Sequence, residues 1–353
     1  MHESIKKVIM KKTIIDNKIF DDVFEAIRRL EKSHPILGLK DKTAGYLIKD
    51  NKSFKLMELP DGTIGAFPPN FNFRFYRGEN DNFDDKYPCV PKIFRIKNQG
   101  EIDLSGNTYN ELILIDRLRI AEFAFIAKQF PQVRYAIDDY CNVDFDALAQ
   151  HYDLNTDLLD MSSDIAVAAF FATHTYDPQN GYQIKDDGIG CLRVYVHMAT
   201  SDNFNAEKKF RLIGLQPFQR PGIQCAFAIK LNEGEDFSTV SGKVLFRQTA
   251  RWNSRLHDSF YERGSNILFP KEDIEDVSEL VRDSKRLSKI SIKQFCDERN
   301  LTVEYVETIL AKYNISISGR LIYSLSRQQR KKMERAFKGR PYGDVRLVSR
   351  LAF

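Results

Sequence analysis

Two segments of this 353-residue chain carry residue types that could do chemistry. In the first, Phe75-Tyr76-Arg77-Gly78, a permanently charged guanidinium stands between an aromatic ring and a residue without a side chain. A planar guanidinium suits bidentate recognition of a carboxylate or phosphate, and the glycine would let a ligand approach the main chain closely. The second segment, residues 151–173, places the pair His151-Tyr152, then Thr156, Asp160 and Ser162-Ser163, directly before the alanine-rich apolar run that holds Phe170. Polar groups crowded against apolar sequence are costly unless they are paired or used. Each has a structural alternative: a satisfied core histidine for His151, an ion pair between Arg77 and Asp160, and helix caps for the two serines.

The elements that must position these residues follow from periodicity. Residues 71–76 form an aromatic-rich strand, and Tyr87-Pro88-Cys89-Val90-Pro91 a loop, because two prolines remove main-chain donors. Residues 109–130 predict a long helix, 145–150 a short one leading into His151, and 164–173 a third with Ser162 or Ser163 as its N-cap. Residues 190–197, 224–231 and 244–247 alternate like strands. Upstream, residues 20–30 predict a helix, and Asp61-Gly62 a turn joining 54–59 to 63–67 as a hairpin. Downstream, 274–287 predicts a helix. Two further helices follow with a short turn between them, the second capped by Thr302, as in helix-turn-helix units. The pattern is α+β: a mixed or antiparallel sheet core with flanking helices and a small helical C-terminal appendage. It divides into an N-terminal α/β section (1–66), a main domain (67–285) and a basic helical tail (286–353).

Composition narrows the class. Hydrophobic content of 42% and charged content of 29% fit a globular protein. No apolar run approaches the ~20 residues needed to span a bilayer, and no secretory signal is read at the N-terminus. Five scattered cysteines without a C-x-x-C spacing argue against a disulfide framework and for a reducing cytoplasm; each reads as a small buried hydrophobe. The histidines lack metal-ligand spacing, so no metal is assigned. The net charge of +4 is uneven: residues 286–353 hold 15 Lys and Arg against 6 Asp and Glu, a net +9, which leaves −5 for the rest. That asymmetry suits a polyanionic partner, DNA or RNA, on the tail.

These residues resemble the FRG-domain family, named for a Phe-Arg-Gly motif. Here it is Tyr76-Arg77-Gly78, continued by Pro91 and Arg95. A second block similar to Q-H-Y-G-L-P-T-R-L-L-D-W-T runs from Gln150 to Ser162, followed by Ala168-Ala169-Phe170-Phe171-Ala172. Arg220, Gln224, Ala226 and Phe227 fill a third block, in which Gln224 and Phe227 stand one residue closer than in the family. Ile267-Leu268-Phe269-Pro270 fills a fourth, so the resemblance spans roughly residues 70–285. Asp153 stands where the family has Gly, Asp157 where it has Arg, and Met161 where it has Trp. The last two changes remove an anion contact and an aromatic wall.

A looser resemblance is to ADP-ribosyltransferase folds. Their opening aromatic-Arg-Gly motif, Ser-containing second motif and third-motif carboxylate are matched in order by Arg77, Ser162/Ser163 and Gln224. The resemblance implies NAD as bound substrate. Arg77 would hold the pyrophosphate beside Tyr76 and Gly78, and His151, Tyr152 or Thr156 would line the ribose and nicotinamide. Ser162 or Ser163 would hold the nicotinamide ribose, and Phe170 would wall the pocket. Gln224 is neutral where a Glu is expected, so Asp160 is the candidate anion for an oxocarbenium-like transition state. The Glu233-Gly234-Glu235 pair reads as an exposed turn. The implied function is ADP-ribose transfer to a nucleic-acid or protein acceptor, as a toxin or phage-defence effector with a cognate antitoxin or regulator. The alternative is a non-catalytic nucleotide-sensing module with a nucleic-acid-binding tail.

Overall fold

The computed structural model describes residues 15–32, 55–59, 61–68, 74–83, 87–98, 107–196, 209–336 and 347–349. The strands are, in chain order, β1 (Ile15–Phe20), β2 (Lys55–Glu58), β3 (Ile64–Phe67), β4 (Arg74–Glu79), β5 (Leu158–Ser162), β6 (His174–Asp177), β7 (Gly181–Ile184), β8 (Ile189–Val196), β9 (Phe210–Leu212), β10 (Ala226–Lys230) and β11 (Gly242–Arg247). Seven of them form an open mixed sheet of order β1-β11-β8-β4-β5-β10-β9. Only β1 runs parallel to its neighbour; the other junctions are antiparallel. β2 and β3 pair antiparallel across the Asp61-Gly62 turn, as the sequence predicts. The Asp61 carboxylate accepts from the amide and hydroxyl of Thr63, and Gly62 takes the left-handed φ of 81° that the turn requires.

Helices cover the sheet: α1 (Val23–Lys32), α2 (Thr108–Ala127), α3 (Pro131–Asp138), α4 (Phe145–His151), α5 (Ile165–Thr173), α6 (Gln219–Ile223), α7 (Ala250–Ser259) and α8 (Asp273–Asp283). None of the described helices is long and apolar enough to cross a membrane. The period-2 alternation of the strands sorts side chains between two faces. Tyr76, Leu192, Val194, Val244 and Phe246 pack with α1, α5 and α7 on one face. Phe75, Leu159, Met161, Phe227 and Ile229 form the other with Cys89 and Phe237. The apolar run of the second segment is α5, buried almost all round. Its small residues let it lie directly on β4: a Cβ at Gly78 would meet the Ala168 carbonyl oxygen at 1.8 Å and the Ala172 nitrogen at 2.7 Å.

The cap of α5 differs from expectation. Asp164, not Ser162 or Ser163, accepts from the Ala166 amide, because a carboxylate one residue later already fits the extended N-cap position. Burial raises the Asp164 carboxyl above its ordinary value against the pull of the helix amides. At the other end of α5, His174 is 2% exposed and stacks on Phe170 at 4.0 Å. Its Nδ1 lies 2.8 Å from the Phe170 carbonyl, which can only accept, so Nδ1 carries the proton. Its Nε2 then accepts from His257 Nδ1 at 2.9 Å. Burial lowers the His174 imidazole to about 4. The unfolded chain therefore binds the extra proton first: this contribution is whole above about pH 6.5, falls away towards about pH 4 and then levels off, a loss of about 3 kcal/mol. Urea unfolding of the protein and of a His174→Gln variant from pH 7.5 to 4 should converge by that amount, and parallel curves would exclude it.

The C-terminal region is not a free tail. The helix expected over 274–287 ends at Asp283 because Ser284 turns extended, and residues Arg286–Ser288 instead pair in parallel with Ser316–Ser318. Between those strands lie α9 (Lys289–Arg299) and α10 (Val303–Lys312), the latter capped by Thr302 accepting from the Tyr305 amide as expected. Leu287, Ile292, Phe295, Val306 and Leu310 share one core with Ile115 and Leu118 of α2. At its centre Glu122 is fully buried. Its Oε2 accepts from the Ser288 amide at 2.9 Å and from the hydroxyls of Ser288 and Ser291 at 2.5 Å, and its Oε1 from the Ile322 amide at 3.0 Å. The sequence reads Arg327–Arg340 as a basic helix-like run; its first ten residues form α11 (Arg327–Ala336), which leaves Arg327, Lys331, Lys332 and Arg335 exposed, and residues 337–340 lie outside the described residues. The outer face of α10 is acidic instead, with Glu304 and Glu307 exposed.

Candidate functional site

Arg77 sits where the central sheet parts. β4 and β8 pair over six residues, but β4 and β5 are joined at the Tyr76–Ser162 pair alone. At this fork Arg77 Nη1 donates to the Asp160 main-chain carbonyl at 3.1 Å, and Nε donates to Glu79 Oε1 at 3.4 Å. Glu79 is the hub. Its other oxygen accepts from the fully buried Arg193 at 2.8 Å, and Cys89 Sγ donates to Oε1 at 2.9 Å. Burial opposes ionisation of Glu79, but the Arg77 and Arg193 charges hold its carboxyl below the ordinary value. Burial pushes the Cys89 thiol up to about 12, so it stays neutral. Arg95, whose Nε donates to the Val90 carbonyl, is held below its ordinary value by burial and by the like charge of Arg77. Three guanidiniums thus gather round the Glu79 carboxylate on this face, while Asp160 offers Arg77 its main-chain carbonyl.

On the other face lies a second polar group. The Asp160 and Ser162 side chains point with Ala228 and Ala226, their partners on β10, towards α4. Asp160 Oδ2 accepts from Gln150 Nε2 at 3.1 Å, while its Oδ1 is buried with no hydrogen-bond partner among the described residues. His151, the next residue of α4, is buried, and its Nε2 has no hydrogen-bond partner among the described residues. Burial holds the imidazole below its ordinary value and neutral, opposed by the Asp160 charge and by the neighbouring Gln224 side chain. The Ser162 hydroxyl donates to the Gln224 carbonyl at 2.7 Å and accepts from the Asp164 amide at 2.9 Å. Gln224 Nε2 donates to the Leu268 carbonyl at 3.0 Å. Ser163 is buried against Cys225.

The structure therefore brings His151, Asp160, Ser162 and Gln224 together on one face, while Arg77 lies on the other and meets them at the Asp160 main-chain carbonyl. Tyr76 and Gly78 project from β4 to the opposite face from Arg77, towards α5. Tyr152 is 1% exposed, its hydroxyl bound to Glu272. The Arg220 guanidinium stacks on Tyr152 and Phe269 with centroids 4.5 and 5.3 Å away, and donates to the His151 carbonyl and to Glu275. Phe170 is a core ring among His174, Tyr182, Phe260 and Phe269. Thr156 is fully buried and bound to Gln150. Glu235 of the exposed turn pairs with Lys209. Two cavities of about 210 and 200 Å³ lie elsewhere, on either side of α2.

The family departures acquire physical readings. Asp153 adopts a left-handed φ of 70°, which explains a glycine there, and its carboxylate is held by Lys92 at 2.6 Å and Arg282 at 2.8 Å. Asp157 pairs with Lys230 at 3.2 Å and Arg117 at 3.9 Å. Met161 points into the Phe75 core, away from Asp160, so it fills the core and walls no pocket on the Asp160 side. Sequence reasoning missed Glu79, Arg193 and Gln150 as parts of the site. Glu79 stands next to Gly78 and shares a face with Arg77 by alternation alone, and Gln150 opens the second block; Arg193 carries no local signal.

The FRG-domain family model matches residues 73–181. That span runs from the start of β4 through Asp160 and α5 to β7, and it supports placing the chain in the FRG family. The Arg220–Phe227 and Ile267–Pro270 blocks lie beyond it. No curated protein and no solved structure matches the chain.

Proposed function

We propose that this FRG-domain chain binds NAD at the fork between β4 and β5 and transfers its ADP-ribose to a macromolecular acceptor. The observation that supports this most is Asp160: a carboxylate with one oxygen anchored and the other without a partner among the described residues. It lies beside a neutral buried imidazole, and its main-chain carbonyl is held by Arg77. Arg77 and Arg95 would take the pyrophosphate. The Asp160 anion would stabilise positive charge on the ribose as the bond from C1′ to the pyridinium nitrogen breaks and its electron pair leaves on neutral nicotinamide. A nucleophile of the acceptor then bonds C1′ and gives its proton to Asp160. Tyr76-Arg77-Gly78 on β4 also resembles the aromatic-Arg-Gly motif that opens ADP-ribosyltransferase folds. A nucleic-acid acceptor would meet α11 rather than the acidic face of α10; a toxin or phage-defence role with a cognate regulator belongs to the same reading. Incubation with NAD labelled in its adenine and with cell lysate should label a macromolecule and release nicotinamide, and Asp160→Asn should lower both by roughly 100-fold or more. A folded protein that releases no nicotinamide sinks the reading.

One observation favours a second reading, a nucleotide sensor without turnover. Gln224 is neutral and tied to Leu268, and the Ser162 hydroxyl is already satisfied. A sensor would gain thermal stability on adding nucleotide, lose that gain in Arg77→Ala, and leave the nucleotide intact.

A further inference from the structure

Asp160 does not orient itself. We infer that Thr156 and Gln150 form a directional hydrogen-bond relay that fixes the Asp160 carboxylate, with both residues acting as positioning residues for the reaction proposed above; the catalytic part of the inference rests on that reading. The polarity follows from donors and acceptors alone. The Asp160 carboxylate can only accept, so Gln150 turns its NH2 group to Oδ2 at 3.1 Å and its Oε1 to Thr156, whose hydroxyl donates to it while accepting from the Leu158 amide at 3.1 Å. The arrangement anchors Oδ2 and leaves Oδ1 without a hydrogen-bond partner among the described residues, as the oxygen the proposed reaction would use. The relay runs from Thr156 in the loop before β5, through Gln150 at the end of α4, to Asp160 on β5, one of the two strands that frame the fork. Thr156 is fully buried and touches no ligand; its effect reaches the reaction only through Gln150.

Two arms test this. In the first, the Gln150 side-chain amide protons are followed by NMR in the wild type, Thr156→Val and Thr156→Ser, with no nucleotide present. Slow exchange and a single amide orientation are expected in the wild type and in Thr156→Ser, and averaging in Thr156→Val. A Gln150 amide unchanged in a folded Thr156→Val variant overturns the relay. In the second, nicotinamide release from NAD is measured for the same three proteins. Thr156→Val should lose roughly 10- to 100-fold in kcat with little change in KM, since it misplaces a group without removing it, and Thr156→Ser should restore most of it. A loss confined to KM, or no rescue by serine, overturns the positioning role. If the wild type releases no nicotinamide while the amide signature is present, the proposed reaction falls, the positioning role falls with it, and the structural relay stands.

Discussion

Glu122→Ala should lower the unfolding free energy by roughly 3–5 kcal/mol, the range for removing one partner of a buried charged network. The side chain is fully buried and is the shared acceptor for two main-chain amides and two hydroxyls. Alanine takes away all four acceptances at once and leaves buried donors that water cannot reach. Each unsatisfied donor costs about 1–3 kcal/mol, and the cavity adds to that. Glu122→Gln keeps an oxygen acceptor but turns an NH2 group towards one set of donors, so it should lose less than alanine and more than a surface substitution. Urea unfolding gives the totals. Hydrogen exchange locates them: residues Arg286–Phe295 and Ile322–Leu325 should lose protection before the sheet does. A change within about 0.5 kcal/mol, the scale of an ordinary surface substitution, would show that the C-terminal region docks through its apolar core alone.

Gly78→Ala should be as damaging. Its Cβ would stand 1.8 Å from a main-chain carbonyl oxygen, a separation no rotamer can relieve, so β4 or α5 must move. Forced overpacking costs about 1–3 kcal/mol and more where backbone has to shift. Two explanations of this glycine then separate. If it serves chiefly as a place for a dinucleotide to approach, Gly78→Ala weakens binding and leaves stability intact. If it serves the contact with α5, the melting temperature falls without any ligand present. The second outcome is expected, because the Gly78 position faces Ala168 and Ala172 and the Arg77 side chain faces away.

Much of the scaffold is written in local pattern. The apolar stretch that became Thr108–Ala127, the Asp61-Gly62 hairpin and the Thr302 cap each rest on interactions within a few residues, which is the range over which sequence speaks plainly. β1 was not foreseen: it is an edge strand of mixed character, defined by its parallel partner β11. The three-residue strands at Arg286–Ser288 and Ser316–Ser318 are equally silent, since parallel pairing across some thirty residues leaves no local signature. In the site, Arg77 and Asp160 were both readable as chemistry, but their relation was not. Tyr76, Arg77 and Gly78 look like one motif in line; the pleat of β4 sends the outer two to one face and the guanidinium to the other. Likewise, Ser162, Ser163 and Asp164 are all acceptable caps by type, and only the backbone decides among them.

The Glu122 contact also bears on how the chain is made. Its partners lie 166 to 200 residues further along. At ribosomal speeds of about 5–20 residues per second, roughly 10–40 s separate the emergence of α2 from that of Ile322. Until Ser288 emerges, α2 presents to the cell a carboxylate with none of its four donors and the bare apolar face formed by Ile115 and Leu118, and the fourth donor follows only with Ile322. The nascent sheet domain would thus be a client for chaperones until roughly the last fifth of the chain arrives, and a truncation before Ser288 would leave the same surface exposed for good.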